Sequence, residues 1–161
     1  MHAFRHGTLV AARYREGLVV KGRTTDFLPN RNHFHVAVDG VPRPVRIATA
    51  DLKALFFIKT EKGNPDHEER KTFRHPGESW VKLWIVFECD GEELAGWTMA
   101  SLSGKNGFFM IPTDQESNIE KMFVFRSALK TIRKGPEAEA AAREYAHRTA
   151  ADETAPSVRE T

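Results

Sequence analysis

Apolar and polar residues along this chain come in short runs, each closed by glycine, proline or asparagine. Side chains of a strand alternate between two faces, so short apolar or alternating runs bounded by turn residues predict β-strands. Glu16-Gly17 and Asp90-Gly91 are hairpin-turn pairs, because glycine takes positive φ without steric cost. Strands are predicted at 9–14 and 19–27 around the first turn, and at 81–88 and 93–100 around the second. Further runs predict strands at 33–38, 45–48 and 55–59, then at 107–111, 121–125 and 129–133. The chain therefore reads as five strands, a polar gap and five more strands.

The two sets match in sequence. A shift of 74 carries Gly17, Gly22, Thr24, Asn32 and Phe34 onto Gly91, Gly96, Thr98, Asn106 and Phe108. A shift of 77 carries Leu52 and Lys53 onto Leu129 and Lys130. Seven identities in register predict an internal repeat. Gly22 and Gly96 fall inside the second strand of each set and mark a bend. Five short strands with a bent second one are what a small, strongly curved barrel requires. The expected fold is all-β: two tandem five-stranded small barrels at 8–60 and 80–134. A polar linker at 61–79 separates them, with a short helical turn near Pro65. A C-terminal helix and unstructured tail follow at 135–161. The helix, rich in Ala and Glu with Tyr145 as its only large apolar residue, is expected to bury little.

Three runs break the alternation. Trp80 to Phe87, Leu55 to Ile58 and Phe108 to Ile111 are apolar on both faces. A strand with one wet face should alternate, so something must cover the second face. The simplest cover is the other repeat, and the next a partner chain.

Charge changes the picture only locally. The 161 residues carry net charge +2, but residues 1–60 hold +6 and residues 135–161 hold −3. Arg13 and Arg15 share one strand face, as do Lys21 and Arg23, and such a stripe suits a phosphate backbone. No apolar stretch is long enough for a membrane helix, and the first residues lack the apolar core of a secretory leader. Cys89 is the single cysteine, which excludes an intramolecular disulfide and a multi-cysteine zinc site. A cytoplasmic setting is expected.

The strand, Asp-Gly turn, glycine-bent strand and following loop resemble the Sm-like and SH3-like small barrels, a group that includes Hfq. That resemblance implies binding of RNA, peptides or further copies, without catalysis. A closer likeness rests on Gly22 to Arg31, on Phe34-His35-Val36 and on Asp51 to Lys59. It continues through Asp90-Gly91-Glu92, Gly107-Phe108-Phe109 and Ser117-Asn118. These segments resemble a family of uncharacterised bacterial proteins over about 9–133, and that family carries no established activity.

Candidate chemistry is sparse. His33 and His35 lie on one strand face and can meet a metal or an anion, but no acidic residue stands near them in sequence, and no metal is expected. Asn30, Arg31, Asn32 and His33 form a polar loop, which in Sm-like barrels touches RNA bases partly through an asparagine. The alternative is a plain turn, with Asn32 and Asn106 at left-handed backbone positions. Arg70 and Arg74 match one half of the cyclic-di-GMP element of PilZ domains, while the companion Ser and Gly are missing. No nucleophile has a base beside it, Ser101 and Ser103 lie in a turn, and no phosphate-binding glycine motif is present. The expectation is a non-catalytic bacterial binding or scaffold module, with no cofactor. A protein partner or self-association comes first, RNA or single-stranded nucleic acid second, and a cyclic dinucleotide third. The candidate binding residues are Arg13, Arg15, Lys21, Arg23, Asn30, Arg31, Asn32, His33 and His35.

Overall fold

All ten predicted strands form. The computed structural model describes residues 6–63, 71, 80–99, 104–114 and 116–154. The first half contains β1 (Thr8–Tyr14), β2 (Val19–Thr24), β3 (His33–Val36), β4 (Val45–Ala48) and β5 (Leu52–Ile58). The second half contains β6 (Val81–Phe87), β7 (Glu93–Thr98), β8 (Gly107–Pro112), β9 (Ile119–Phe125) and β10 (Leu129–Lys134). A single 3-10 turn joins the last two strands of each half, at Thr49–Asp51 and at Arg126–Ala128. Helix α1 (Pro136–Thr154) closes the described chain. The predicted helical turn near Pro65 lies outside the described residues.

The strands do not close into two barrels. They make one eight-stranded sheet, ordered β10-β6-β7-β8-β9-β5-β1-β2, and a two-stranded ribbon of β3 and β4. The reason is β5, whose two edges pair with β1 and with β9 of the other half. Joining the halves edge to edge draws them into one sheet. The ribbon is tied to β2 by the bridge Arg23↔Ala37. Its counterpart at a shift of 74, Trp97↔Ile111, belongs to the β7–β8 ladder.

The two largest shifts of a strand limit, three residues each, have local causes. β2 ends at Thr24 rather than at 27, because the Asp26 amide turns back to Thr24 Oγ1 at 3.4 Å. β5 starts at Leu52, three residues early, as the 3-10 turn releases the chain directly into the sheet.

Every residue of β5 is buried, and its side chains divide between two cores. Ala54, Phe56 and Ile58 join Leu83, Ile85, Phe87, Met110 and Met122 on one face. Leu52, Leu55 and Phe57 join Val10, Phe34, Ile47 and Phe123 on the other. Each fully buried Leu, Ile or Phe contributes about 2 kcal/mol. The apolar β5 run is thus covered by the other half, as expected. Lys53 of β5 is buried too, with its side chain 1% exposed. Its Nζ lies 2.6 Å from Asp90 Oδ2 and 2.6 Å from Glu92 Oε1, and 4.4 Å from the Phe87 ring centre. Arg13 reaches the same Glu92 at 3.4 Å, so four charged groups lock β1 and β5 to the β6–β7 turn.

The apolar β6 run has a different cover. Trp84 packs under α1 against Ala138, Ala141 and Tyr145, with ring centres of Trp84 and Tyr145 5.5 Å apart. The helix therefore buries more than expected: its alanines are small enough to let the backbone approach the indole. Gly135 at φ +56° makes the turn and Pro136 opens the helix, where its missing N–H costs nothing. Ion pairs Lys82–Glu139, Arg133–Glu144 and Arg148–Glu93 rim the contact.

Candidate functional site

The β2–β3 connection is strapped across the sheet. Phe27 plugs it down among Phe34, Phe57, Phe123 and Phe125, with ring centres 5.2 to 6.5 Å away. Pro29 follows, and the Arg31 amide donates to the Leu28 carbonyl at 3.0 Å, closing a turn. The Asn32 carbonyl then accepts from the Thr49 amide at 3.0 Å. The second half repeats this: the Asn106 carbonyl accepts from the Arg126 amide at 2.9 Å, the shifts being 74 and 77. Neither asparagine is left-handed, since among the described residues positive φ is confined to glycine. Their recurrence reflects the carbonyl that holds each 3-10 turn.

The two loops meet. Asn106 Nδ2 donates to the Pro29 carbonyl at 2.9 Å, and a cleft of about 660 Å³ lies between them. Asn30, Arg31 and Asn32 form one wall, Lys105 and Asn106 the other, and Gly107 with Phe123 the base. Among the described residues, two cations and three amides line it and no carboxylate does. Such a wall can neutralise phosphates through Arg31 and Lys105 and offer amide donors and acceptors to base edges.

A family model described as a family of unknown function, DUF6982, matches residues 7–134. This chain belongs to DUF6982. The match takes in both cleft loops and stops before α1. No curated protein and no solved structure gives a significant match.

The other candidate residues of this DUF6982 chain lie apart from the cleft. Arg13 is held in the Lys53 cluster, and Arg15 reaches Ser127 Oγ at 2.5 Å. Lys21 bonds the Glu61 carbonyl at 2.8 Å and Arg23 the Gly7 carbonyl at 3.2 Å. The basic stripe is thus distributed among intramolecular contacts. His33 and His35 sit edge to face on β3, ring centres 5.8 Å apart. An acidic residue does stand beside them: Asp26 Oδ2 lies 2.7 Å from His35 Nδ1, and Asp26 Oδ1 accepts from the His35 amide at 2.9 Å. The sequence hid this pair, because a strand drawn through residue 27 puts Asp26 in the wrong place. Lys105 and Phe123 were also missed as cleft residues, although the match of Asn32 with Asn106 pointed to the second loop. Arg70, Arg74, Ser101 and Ser103 lie outside the described residues.

Burial alone would raise the Asp26 carboxyl. The hydrogen bonds from the His35 side chain and amide and from Thr24 outweigh it, holding Asp26 below the ordinary carboxyl value. A carboxyl lowered by folding stabilises the protein above its unfolded pKa, and that stabilisation fades as pH falls through the lower folded value. Asp26→Asn is therefore expected to cost about 1 kcal/mol at neutral pH, solvent screening keeping it small. The gap in melting temperature should narrow on acidification below the ordinary carboxyl range. A gap independent of pH would refute the ionic role of Asp26.

Proposed function

We propose that this DUF6982 chain is a non-catalytic binding module made of two copies of one small five-stranded unit of the Sm-like kind, opened along a shared seam. Its cleft takes single-stranded nucleic acid, and RNA is the ligand to test first. The observation that carries this is the meeting of residues 30–32 with residues 104–106, equivalent loops that together bring two cations and three amides around one hollow. In Sm-like barrels the comparable loop contacts RNA bases partly through an asparagine, and here both loops supply one. The bacterial cytoplasm would be its place of work. Protein association, the first expectation from sequence, moves to second place. It is favoured by the apolar hollow at the β3–β4 turn, lined by Val38, Val41, Pro42 and Pro44.

Anisotropy of a labelled, mixed-sequence RNA, titrated at low and moderate salt, tests the proposal. Micromolar binding is expected, with log affinity falling by about 0.7 per log unit of salt for each phosphate neutralised. The double variant Arg31→Ala, Lys105→Ala should flatten that slope by about 1.4. Absence of binding at low salt, or binding indifferent to the double variant, would overturn the cleft as the site.

A further inference from the structure

A smaller hollow of about 290 Å³ shares Pro29 with the cleft, so that one proline lines both. Its apolar lining is Phe57 and Phe109, ring centres 6.1 Å apart, with the Phe27 plug beside them. Lys121 stands over both rings, its Nζ 5.0 Å from the Phe57 centre and 5.2 Å from that of Phe109. Thr8, Thr24 and Thr25 complete the rim, with the Thr24 hydroxyl tied to Asp26. Phe57, Lys121 and Phe109 come from three neighbouring strands, β5, β9 and β8, at an end of the sheet near the start of β1. Phe109 is half-buried and Lys121 exposed.

Resting on the nucleic-acid reading of the cleft, we propose that this hollow is a nucleobase slot: a strand with its phosphates against Arg31 and Lys105 turns one base over Pro29 onto Phe109. The aromatic ring gives a sequence-tolerant stacking face, and Lys121, now shielding that face, is free to swing to a phosphate or a base carbonyl. A purely apolar protein side chain would gain nothing from a lysine and a threonine rim, whereas a base has polar edges to place there. The slot also decides between forms of nucleic acid. Bases inside a duplex are stacked and paired, so only a single strand can insert one.

The test compares wild-type full-length protein on three probes: a short labelled RNA, the same-length strand with abasic sites, and the RNA annealed to its complement. The abasic strand and the duplex should each bind about tenfold or more weakly than the RNA, since loss of one stacked base has an effect of that order. Phe109→Leu, which keeps the aliphatic bulk, should weaken RNA binding similarly with the salt slope unchanged. Lys121→Gln should flatten the slope by about 0.7. Equal affinity for abasic and base-bearing strands overturns the slot, and does so even if Phe109→Leu fails to fold, because it is read on the wild type. In that outcome a continuing response to Arg31→Ala, Lys105→Ala keeps the cleft. Failure of every probe to bind removes cleft and slot together.

Discussion

Gly22→Val and Gly96→Val are each expected to unfold the protein or to cost more than about 3 kcal/mol, beyond ordinary overpacking. Neither glycine has positive φ, so the cause is space. A Cβ on Gly22 would lie 2.2 Å from the Ala37 carbonyl oxygen, and one on Gly96 would lie 2.3 Å from that of Ile111. Ala37 and Ile111 stand at the same shift of 74 as the glycines themselves. Both obstacles are backbone, which cannot swing aside as a side chain can. In the first half the obstacle is also the residue that carries the bridge Arg23↔Ala37, so the β3–β4 ribbon would lose its tie to β2. Gly91 offers the contrast. It has φ +72° with open space around it, so Gly91→Ala should cost only about 1 kcal/mol. Urea midpoints of the three variants check the ranking, and wild-type midpoints for both valines would sink the close approach.

Lys53→Met comes next, with an expected loss of about 2 kcal/mol. Removing one member of a buried ion pair ordinarily costs about 3–5 kcal/mol, because the partner charge is left stranded. Asp90 and Glu92 keep 47% and 32% of their side-chain surface in water, so part of that penalty is relieved. Methionine also retains most of the packing against Phe87. The loss depends on pH with a definite sign. Burial would raise the Asp90 carboxyl, but the Lys53 ammonium and the Glu92 amide outweigh it and hold it below the ordinary value. Wild type should therefore lead the variant fully at neutral pH, and the lead should shrink as pH falls through the lowered Asp90 value. Lys130, the equivalent residue on β10, is exposed, and Lys130→Met should stay within about 0.5 kcal/mol of wild type. Equal stability of Lys53→Met and wild type at neutral pH would show that the cluster does not hold the seam.

The strands were legible because their punctuation is local. Gly17, Gly91, Pro29 and Gly135 announce turns whatever the rest of the chain does. The choice of β9 as the second partner of β5 was not legible, since every strand edge presents the same row of N–H and C=O groups. Only the two-faced apolar run at Leu55 to Ile58 hinted that both sides of β5 were needed. The same divide runs through the site. Asn30, Arg31 and Asn32 stand out as a polar loop, whereas Lys105 and Phe123 acquire meaning only when β5 and β9 bring the loops together. Asp26 escaped notice because its partner His35 is nine residues away, across a turn no periodicity could place. The α1 contact was hidden by composition. Alanines look idle in a sequence, but Ala138 and Ala141 are what Trp84 requires.

The position of α1 has a consequence for assembly. By pairing register, Trp84 and Val86 of β6 correspond to Ala11 and Arg13 of β1, and Thr131 of β10 to Ala54 of β5. Ala11 and Ala54 belong to the face by which the first half receives the second. That junction is head to tail, joining β5 to β9, and repetition of such a joint has no natural end short of a ring or a fibre. On the second half the matching face lies under α1, and the β10 edge beside it carries Lys130, Arg133 and Lys134, which discourage strand addition. The helix thus covers on the second half the face that the first half gives to its neighbour.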